Sequence, residues 1–471
     1  MFNTNPPMAA PLLKACLAQH GINAKALDLN IDFINSKIST DSIIAWMQHP
    51  ISKPNITEWE NYKDWMHQHA KVIAQTNIPY IGISVFTKDS QRAAEDLAYF
   101  IKQENPAKKI VLGGQGTNVY QSQWQSNWYQ LMLDSGIADV VVLGEGEKAI
   151  VDVIKNNLTG VVQIPQLTNN ELDVVPLPDF SDYNLSSYMH DLDDEYFAIP
   201  ITASKGCVRK CTFCDIGKHW PKFRYRNGTR VAEELIHYYK NYNFKYFRFT
   251  DSLINGNTKE LRAMNTKLAE EIPYTIKYRG QLICRPQNQM PKNDFKLMAK
   301  GGAYRVQIGI ESGSESVRDH MGKKFSNADI DYCTYQLFNN NIKQSWFMFV
   351  GYPTETEQDY EDTLNLIKKY KHLAKDQMLQ IIPTGVFQLL DGTPSTSPKM
   401  LEELEIEQHI VNGYQTYNWV SNKYPENTFN VRAERFKRLV ELCKELDFIS
   451  DFENMVDGHM KMINNQGGIH G

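Results

Sequence analysis

Residues 203–217 read ASKGCVRKCTFCDIG. Cys207, Cys211 and Cys214 fall within eight positions at the spacing C-x3-C-x2-C. What flanks the loop decides the fold. Upstream, AIPITASKG (198–206) is a short apolar strand that runs directly into it. Downstream, helical and strand patterns alternate. TRVAEELIHYYKNY places Val231, Leu235, Tyr238 and Tyr242 on one helical face, FKYFRFTD reads as a strand, and TIKYRGQLIC as another. NDFKLMAKGG is a helix with a glycine stop, and YRVQIGIESG a strand. SNADIDYCTYQLF is a helix opened by Ser326 with Asp329 at the capping-box position. KQSWFMFVGYP is a strand, the next helix offers Thr354 and Glu357 as a cap pair, and MLQIIPTGVFQLL is the sixth strand. Six such units predict a partial (β/α)6 barrel of the TIM type over residues 197–395. Chemistry in these barrels sits at the carboxyl ends of strands, where the cysteine loop lies.

The first 164 residues also alternate. A very short strand is expected at Phe2–Thr4, then the helix PLLKACLAQHG stopped by Gly21, and a strand in AKALDLN (24–30). Residues 31–77 read as a polar, Trp-rich, helical insertion. PYIGISV, KIVLGG and ADVVVLGEGE supply three more strands, with Ala93, Leu97, Phe100 and Ile101 on an intervening helical face and EKAIVDVIKNNL closing the unit. Five strands with helices between them predict a flavodoxin-like doubly wound α/β domain, residues 1–164. Such sheets take ligands at their carboxyl edge, which nominates Asn5, Ser84, Thr87, Gly113, Gly114, Gln115, Gly116, Thr117 and Glu145. Residues 165–196, with Pro165, Pro176, Pro178 and several acids, read as a linker. Residues 396–471 read as a C-terminal helical region with Phe436, Leu439, Val440 and Leu446 as contacts.

A net charge of −5 gives no reason to expect a nucleic-acid or membrane partner. No apolar run approaches the ~18 residues of a membrane span, and the start lacks a signal-peptide layout, so a cytoplasmic location is expected. Seven cysteines, dilute outside one cluster, do not make a disulfide framework. Cys16 and Cys333 lie in helical patterns and read as core. The cluster reads as metal-binding. Structural zinc wants four ligands, and neither His219 nor Cys284 completes a usual zinc spacing. A 4Fe–4S cube fits better, and three thiolates leave one iron open to an external ligand.

Cys207-x3-Cys211-x-Phe213-Cys214, with its aromatic residue before the last cysteine, resembles the radical S-adenosylmethionine superfamily. That resemblance implies an open iron chelating S-adenosylmethionine, whose reductive cleavage gives methionine and a 5′-deoxyadenosyl radical. It also implies an external electron donor such as flavodoxin or ferredoxin. FRFTDSLING resembles the family segment that contacts the methionine amino group, at Thr250, Asp251 and Ser252. VQIGIESGSE resembles the one approaching ribose and carboxylate, at Glu311 and Ser312. FMFVGYPTET resembles the glycine–proline turn at Gly351 and Pro353, and Val386 to Gln388 are expected near the adenine. Arg224 and Arg226 either hold an anionic group or form a solvated basic stretch.

The order of parts over residues 3–395 resembles the cobalamin-binding branch of the superfamily, in which many members transfer a methyl group. This sequence departs from that branch in a stunted first strand and in having no D-x-H-x-x-G motif, so no histidine is in place below cobalt. Three readings follow: a cobalamin-dependent radical enzyme, with methylation of carbon or phosphorus as the reaction the resemblance implies; a cobalamin-free radical enzyme running a rearrangement, oxidation or cyclisation; and a non-catalytic iron–sulfur or zinc scaffold. The substrate, a small molecule or peptide, is not legible.

Overall fold

Val140, Val141 and Val142 point alternately to two faces of a parallel sheet, and both faces are buried. The computed structural model describes residues 5–36, 38, 55–118, 120–121, 126–188, 197–390, 392–408 and 419–448. The chain divides into two units, residues 1–197 and 198–471.

The first unit contains α1 (Ala9–Ala18), α2 (Leu29–Asn35), α3 (Ile56–Ala74), β1 (Tyr80–Ser84), α4 (Ser90–Glu104), β2 (Lys109–Gly113), α5 (Trp128–Asp134), β3 (Val140–Leu143), α6 (Gly146–Asn156) and β4 (Gly160–Gln163). The four strands are parallel, in the order β1-β2-β3-β4. Ile110, Leu112 and Val141 pack under α3, α4 and α5, while Val111, Val140 and Val142 pack under α1 and α6. Strands buried on both faces are what a doubly wound parallel sheet requires.

Two expected features of this unit differ. Residues 24–30 form no strand, because Asp28 turns the chain into α2: its Oδ1 accepts from the backbone of Asn30 and Ile31, and its Oδ2 accepts from Tyr188. A side-chain cap has replaced the ladder bonds a strand would make. The short strand β4, by contrast, was not foreseen in GVVQ. The strand expected at residues 2–4 lies outside the described residues. Residues 165–188 fold onto this unit. Lys14 bonds Ser181 at 2.8 Å and pairs with Asp182 at 2.6 Å and Asp179 at 3.0 Å.

The second unit contains β5 (Ile199–Ile201), α7 (Gly228–Tyr242), β6 (Tyr246–Phe249), α8 (Thr258–Glu271), β7 (Lys277–Leu282), α9 (Lys292–Gly301), β8 (Ala303–Glu311), α10 (Asn327–Asn339), β9 (Lys343–Val350), α11 (Glu357–Lys369), β10 (Leu379–Val386) and α12 (Phe429–Glu445). Six parallel strands run in sequence order from β5 to β10. This is the partial barrel the alternation predicts. An open barrel exposes an edge at β10, which invites foreign pairing. Here the backbone N–H of Ile381 on that edge donates to Phe448 O at 3.1 Å, after α12 has buried Phe436, Leu439, Val440 and Cys443.

Ser326 and Asp329 form the expected capping box. The cap of α11 is Thr356 with Asp359, not Thr354 with Glu357. The Glu357 carboxylate is spent instead on Arg435 and Arg438, at 3.1 and 3.0 Å. Val231, Leu235 and Tyr238 face the core as expected, but Tyr242 is exposed in the last turn of α7 and stacks on Phe244. Cys16 and Cys333 are buried. Among the described residues no helix is long and apolar enough to cross a membrane.

Candidate active site

After β5 the chain passes through Ser204–Lys205, which pairs antiparallel with Arg224–Tyr225, so the cysteine excursion is closed at its neck by a two-residue ribbon. Gly206 sits at φ +85°, and a Cβ there would meet Lys222 O at 2.7 Å. Only glycine lets the two arms of the neck approach so closely. Asp251, at the end of β6, braces the neck. Its Oδ2 accepts from Ala203 N at 3.0 Å and its Oδ1 from Ser204 Oγ at 2.6 Å. Burial pushes its carboxyl up to about 7, against the pull of those donors. Thr250 beside it shares a 2.7 Å bond with Thr202, and Ser252 is partly exposed.

Arg224 and Arg226 do not form a solvated stretch. Arg224 is buried with its guanidinium 5.6 Å from the centre of the Trp220 ring. Arg226 donates to Thr202 O at 2.9 Å and pairs with Glu234 at 2.6 Å.

The middle of the loop is fixed at Thr212, between Cys211 and Cys214. Its N–H donates to Met321 O at 2.9 Å, its carbonyl accepts from Ser395 N at 2.7 Å, and its hydroxyl lies 2.8 Å from Tyr352 Oη. Tyr352 Oη is in turn 2.9 Å from His320 Nδ1. Phe213 packs edge to face on Phe349 at 5.2 Å. Anchors from three separate strand ends thus hold the loop.

The three thiols are free and partly buried. Burial pushes Cys211 up to about 11; Lys323 opposes this, while Cys214, Cys207 and Glu311 add to it. Cys214 is also raised, first by burial, with Asp215 and Cys207 adding. Thiolates that repel one another this way are relieved when a metal centre takes their charge. The chemistry of the donor set therefore fits an iron–sulfur cluster. Zinc finds no fourth partner in Cys284, which is buried and shares a thiol hydrogen bond with Cys333. Among the described residues, no three His, Cys, Asp or Glu side chains, the three cysteines included, are drawn together around a single ion, so the donor set and not a closed single-ion geometry carries the fit to a cluster.

The other nominated residues of this unit all lie at the same carboxyl edge. Glu311 ends β8 and its Oε1 accepts from Lys323 Nζ at 2.7 Å. Ser312 is buried in the following turn, 3.2 Å from Ser314 N and 3.3 Å from Thr363 Oγ1. Val386 is buried at the end of β10 and Gln388 lies partly exposed beyond it. Gly351 opens the turn after β9 at φ +77°, where a Cβ would strike the Arg432 side chain from α12. The Pro353 carbonyl, in the same turn, accepts from Asn427. Thr212, His320, Lys323, Tyr352 and Ser395 went unread in the sequence. They meet the loop from more than 100 residues away or carry no periodic signal.

At the carboxyl edge of the first unit the nominated residues behave differently. A Cβ on Gly114 would strike Val85 O, and one on Gly116 would meet Thr87 O at 2.6 Å. Gly116 O accepts from Gln91 Nε2 at 2.6 Å, and Thr117 Oγ1 donates to Gly114 O at 2.7 Å. Gln115 begins this short 3-10 turn. Glu145 is buried and accepts from Leu167 N at 2.5 Å. Ser84 and Thr87 are exposed, as is Phe86 between them, and Asn5 is partly exposed. Around Gly113 the nearest atom to an added Cβ is 3.8 Å away, and around Gly144 nothing lies within 4 Å.

Comparison with known proteins agrees with this architecture. Residues 201–367 match the model of the Radical SAM superfamily. Over 326 residues the chain is 26% identical to an uncharacterised methyltransferase of Pyrococcus horikoshii, covering 64% of this chain and 66% of that one. The chain thus spans just under two thirds of that relative's length. Among solved structures it resembles the radical S-adenosylmethionine methyltransferase TsrM of Kitasatospora setae, solved with cobalamin and a [4Fe-4S] cluster, at TM-score 0.61 and 14% identity over 87% of this chain and 79% of that one. It also resembles the cobalamin-dependent S-adenosylmethionine radical enzyme OxsB, at TM-score 0.62 and 16% identity over 91% of this chain and 64% of that one. At these identities the likeness establishes the fold.

Proposed function

On the premise that this chain belongs, through residues 201–367, to the radical S-adenosylmethionine superfamily, we propose that it is an enzyme that cleaves S-adenosylmethionine reductively at a three-cysteine iron–sulfur site. One observation carries the reading: three free thiols sit on a braced loop directly after the first strand of a six-strand parallel barrel. Cys207, Cys211 and Cys214 would hold a 4Fe–4S cluster. When bound, that cluster supplies the single electron that splits the sulfonium and yields a 5′-deoxyadenosyl radical.

The chain's own residues position and shelter this chemistry. Asp251 fixes the neck through Ala203 and Ser204, so it acts on the loop and not on a ligand. Thr212 locks the thiols' spacing through Met321, Ser395 and Tyr352. Phe213, Phe349 and Phe387 form an apolar wall beside the loop, which keeps water from a strongly reducing centre. For S-adenosylmethionine itself, Thr250, Ser252 and Gln388 are the nominated side chains with exposed surface. Ser312 and one carboxylate oxygen of Glu311 are engaged within the protein. The electron is proposed to come from an external low-potential donor, and the substrate to be a small molecule or peptide.

Cobalamin is the second cofactor we propose, at the carboxyl edge of the first unit. The reading is supported by the likeness to TsrM and OxsB and by the open ground around Gly113, Gly144, Ser84 and Thr87. Methyl transfer is the corresponding reaction. A second reading, a radical enzyme without cobalamin, is favoured by one observation: the Gly114–Gly116 turn and Glu145 are already spent on internal packing.

Anaerobic incubation with dithionite and S-adenosylmethionine is expected to release 5′-deoxyadenosine. Its absence from a fully iron-loaded chain refutes the enzymatic reading. Cobalt analysis after expression with cobalamin supplied separates the two radical readings, because no cobalt leaves only the second.

A further inference from the structure

Lys323 is a buried lysine placed where a solvated one would be expected, in the polar turn GKKFS. Its Nζ donates to Glu311 Oε1 at 2.7 Å and to Gly309 O at 2.8 Å. The same ammonium lies 5.5 Å from the centre of the Phe213 ring, between Cys211 and Cys214 in sequence. Its three N–H groups are thus occupied by two oxygens and one aromatic face. Residues just before it touch the loop directly: Met321 O accepts from Thr212 N, and Gly322 packs on Lys210 O, 3.1 Å from where its Cβ would stand.

Three departures from regular strand geometry make room for this ammonium. The β8–β9 register shifts between Gly309 and Glu311. Glu311 takes φ +68°, a left-handed conformation that is strained for a non-glycine residue. At Gly309 a Cβ would strike the Glu311 carboxylate and stand 2.8 Å from Lys323 Nζ. A bulge, a strained residue and a glycine whose Cβ would displace both partners of the ion pair, all at one spot, are the marks of a built site.

We propose that Lys323 is a positioning residue that supplies a fixed buried counter-charge to the Cys211 and Cys214 thiolates, seated by Glu311 and Gly309. The turn that carries it stands against the loop at the cysteine itself: a Cβ on Gly322, the residue before Lys323, would lie 3.7 Å from Cys211 Cα. The inference rests on the cluster reading above and adds a role to it: the ion pair sets how readily the site accepts one electron. Net charge and neighbouring hydrogen bonds are among the levers on iron–sulfur potentials. Removing the positive partner makes one-electron reduction harder, and removing the negative partner makes it easier.

The test is an anaerobic redox titration, with dithionite as the electron source, of the reconstituted wild type, Lys323→Met and Glu311→Gln, followed by electron paramagnetic resonance. The expected result is a midpoint potential that moves negative in Lys323→Met and positive in Glu311→Gln, with Lys323→Arg close to wild type. A purely structural role moves both substitutions the same way or neither. Should Lys323→Met fail to hold iron, the positive shift in Glu311→Gln still decides. A wild type that binds no iron brings down the cluster reading and this inference together. A loaded wild type whose potential ignores both substitutions brings down this inference alone.

Discussion

Both units carry a parallel sheet whose carboxyl edge was expected to bind a cofactor, and the two edges use their polar groups in opposite ways. In the first unit the Gly114–Gly116 turn packs its backbone onto residues 85–87 and Glu145 ties down Leu167, so these nominated groups serve the fold while Ser84 and Thr87 stay exposed. In the second unit, Asp251 after β6, Met321 after β8 and Ser395 after β10 satisfy the loop's backbone, and none of the three cysteines is tied up in a disulfide. A sheet edge becomes reactive when its scaffold is satisfied by other residues and its chemical groups are spared.

The largest break in that contrast is Cys211→Ala. It should take the reconstituted chain from about four irons to near none, with loss of the brown absorbance, since two thiolates hold the cube poorly. Retained iron in that variant would remove the cysteine loop from the account.

Next come the braces. Asp251→Ala leaves Ala203 N without its acceptor and Ser204 Oγ with only Leu253 O, and should cost roughly 1–3 kcal/mol by urea unfolding, with faster iron loss. Asp251 also gives a pH signature. Its folded pKa, about 7, lies above its ordinary value, so the folded state binds the extra proton between about 4 and 7. Its contribution to stability is therefore fully present below about pH 4 and lost as pH rises through 7. The difference in urea midpoint between wild type and Asp251→Asn should change across that window. A constant difference contradicts the buried-carboxylate assignment.

In the first unit, Gly116→Ala should destabilise by roughly 1–3 kcal/mol, because the new methyl meets backbone at Thr87. Gly113→Ala has room and should leave the unfolding free energy within about 0.5 kcal/mol of wild type. If the edge binds cobalamin, the Gly113 variant sharpens the comparison by lowering cobalt content without touching stability. Tyr352→Phe falls between the two glycine variants. Losing one hydroxyl shared by Thr212 and His320 should cost about 1 kcal/mol and hasten cluster release.

Local signals carried the barrel far. The cysteine spacing, the Ser326 cap and the alternation of β5 to β10 are short-range features, and each stands where the chain suggested. What escaped was long-range. Asp251 was read as a ligand contact because nothing local says its carboxylate turns back to Ala203. Lys323 was passed over because a lysine pair in a polar turn is usually solvated, and only a bulge twelve residues upstream makes it a seat. The strand expected in AKALDLN failed for a local reason that was visible, since Asp28 is a good helix cap. The glycines of residues 113–116 were legible as special, but not why: tight backbone packing and ligand approach leave the same mark in a sequence.

The most direct trial of the whole account is spectroscopic. The anaerobically reconstituted chain, reduced with dithionite, should give the electron paramagnetic resonance signal of a one-electron-reduced 4Fe–4S cluster, and S-adenosylmethionine should change that signal by binding the iron no cysteine holds. A chain carrying one tetrahedral zinc, or a cluster whose signal ignores S-adenosylmethionine, would contradict it.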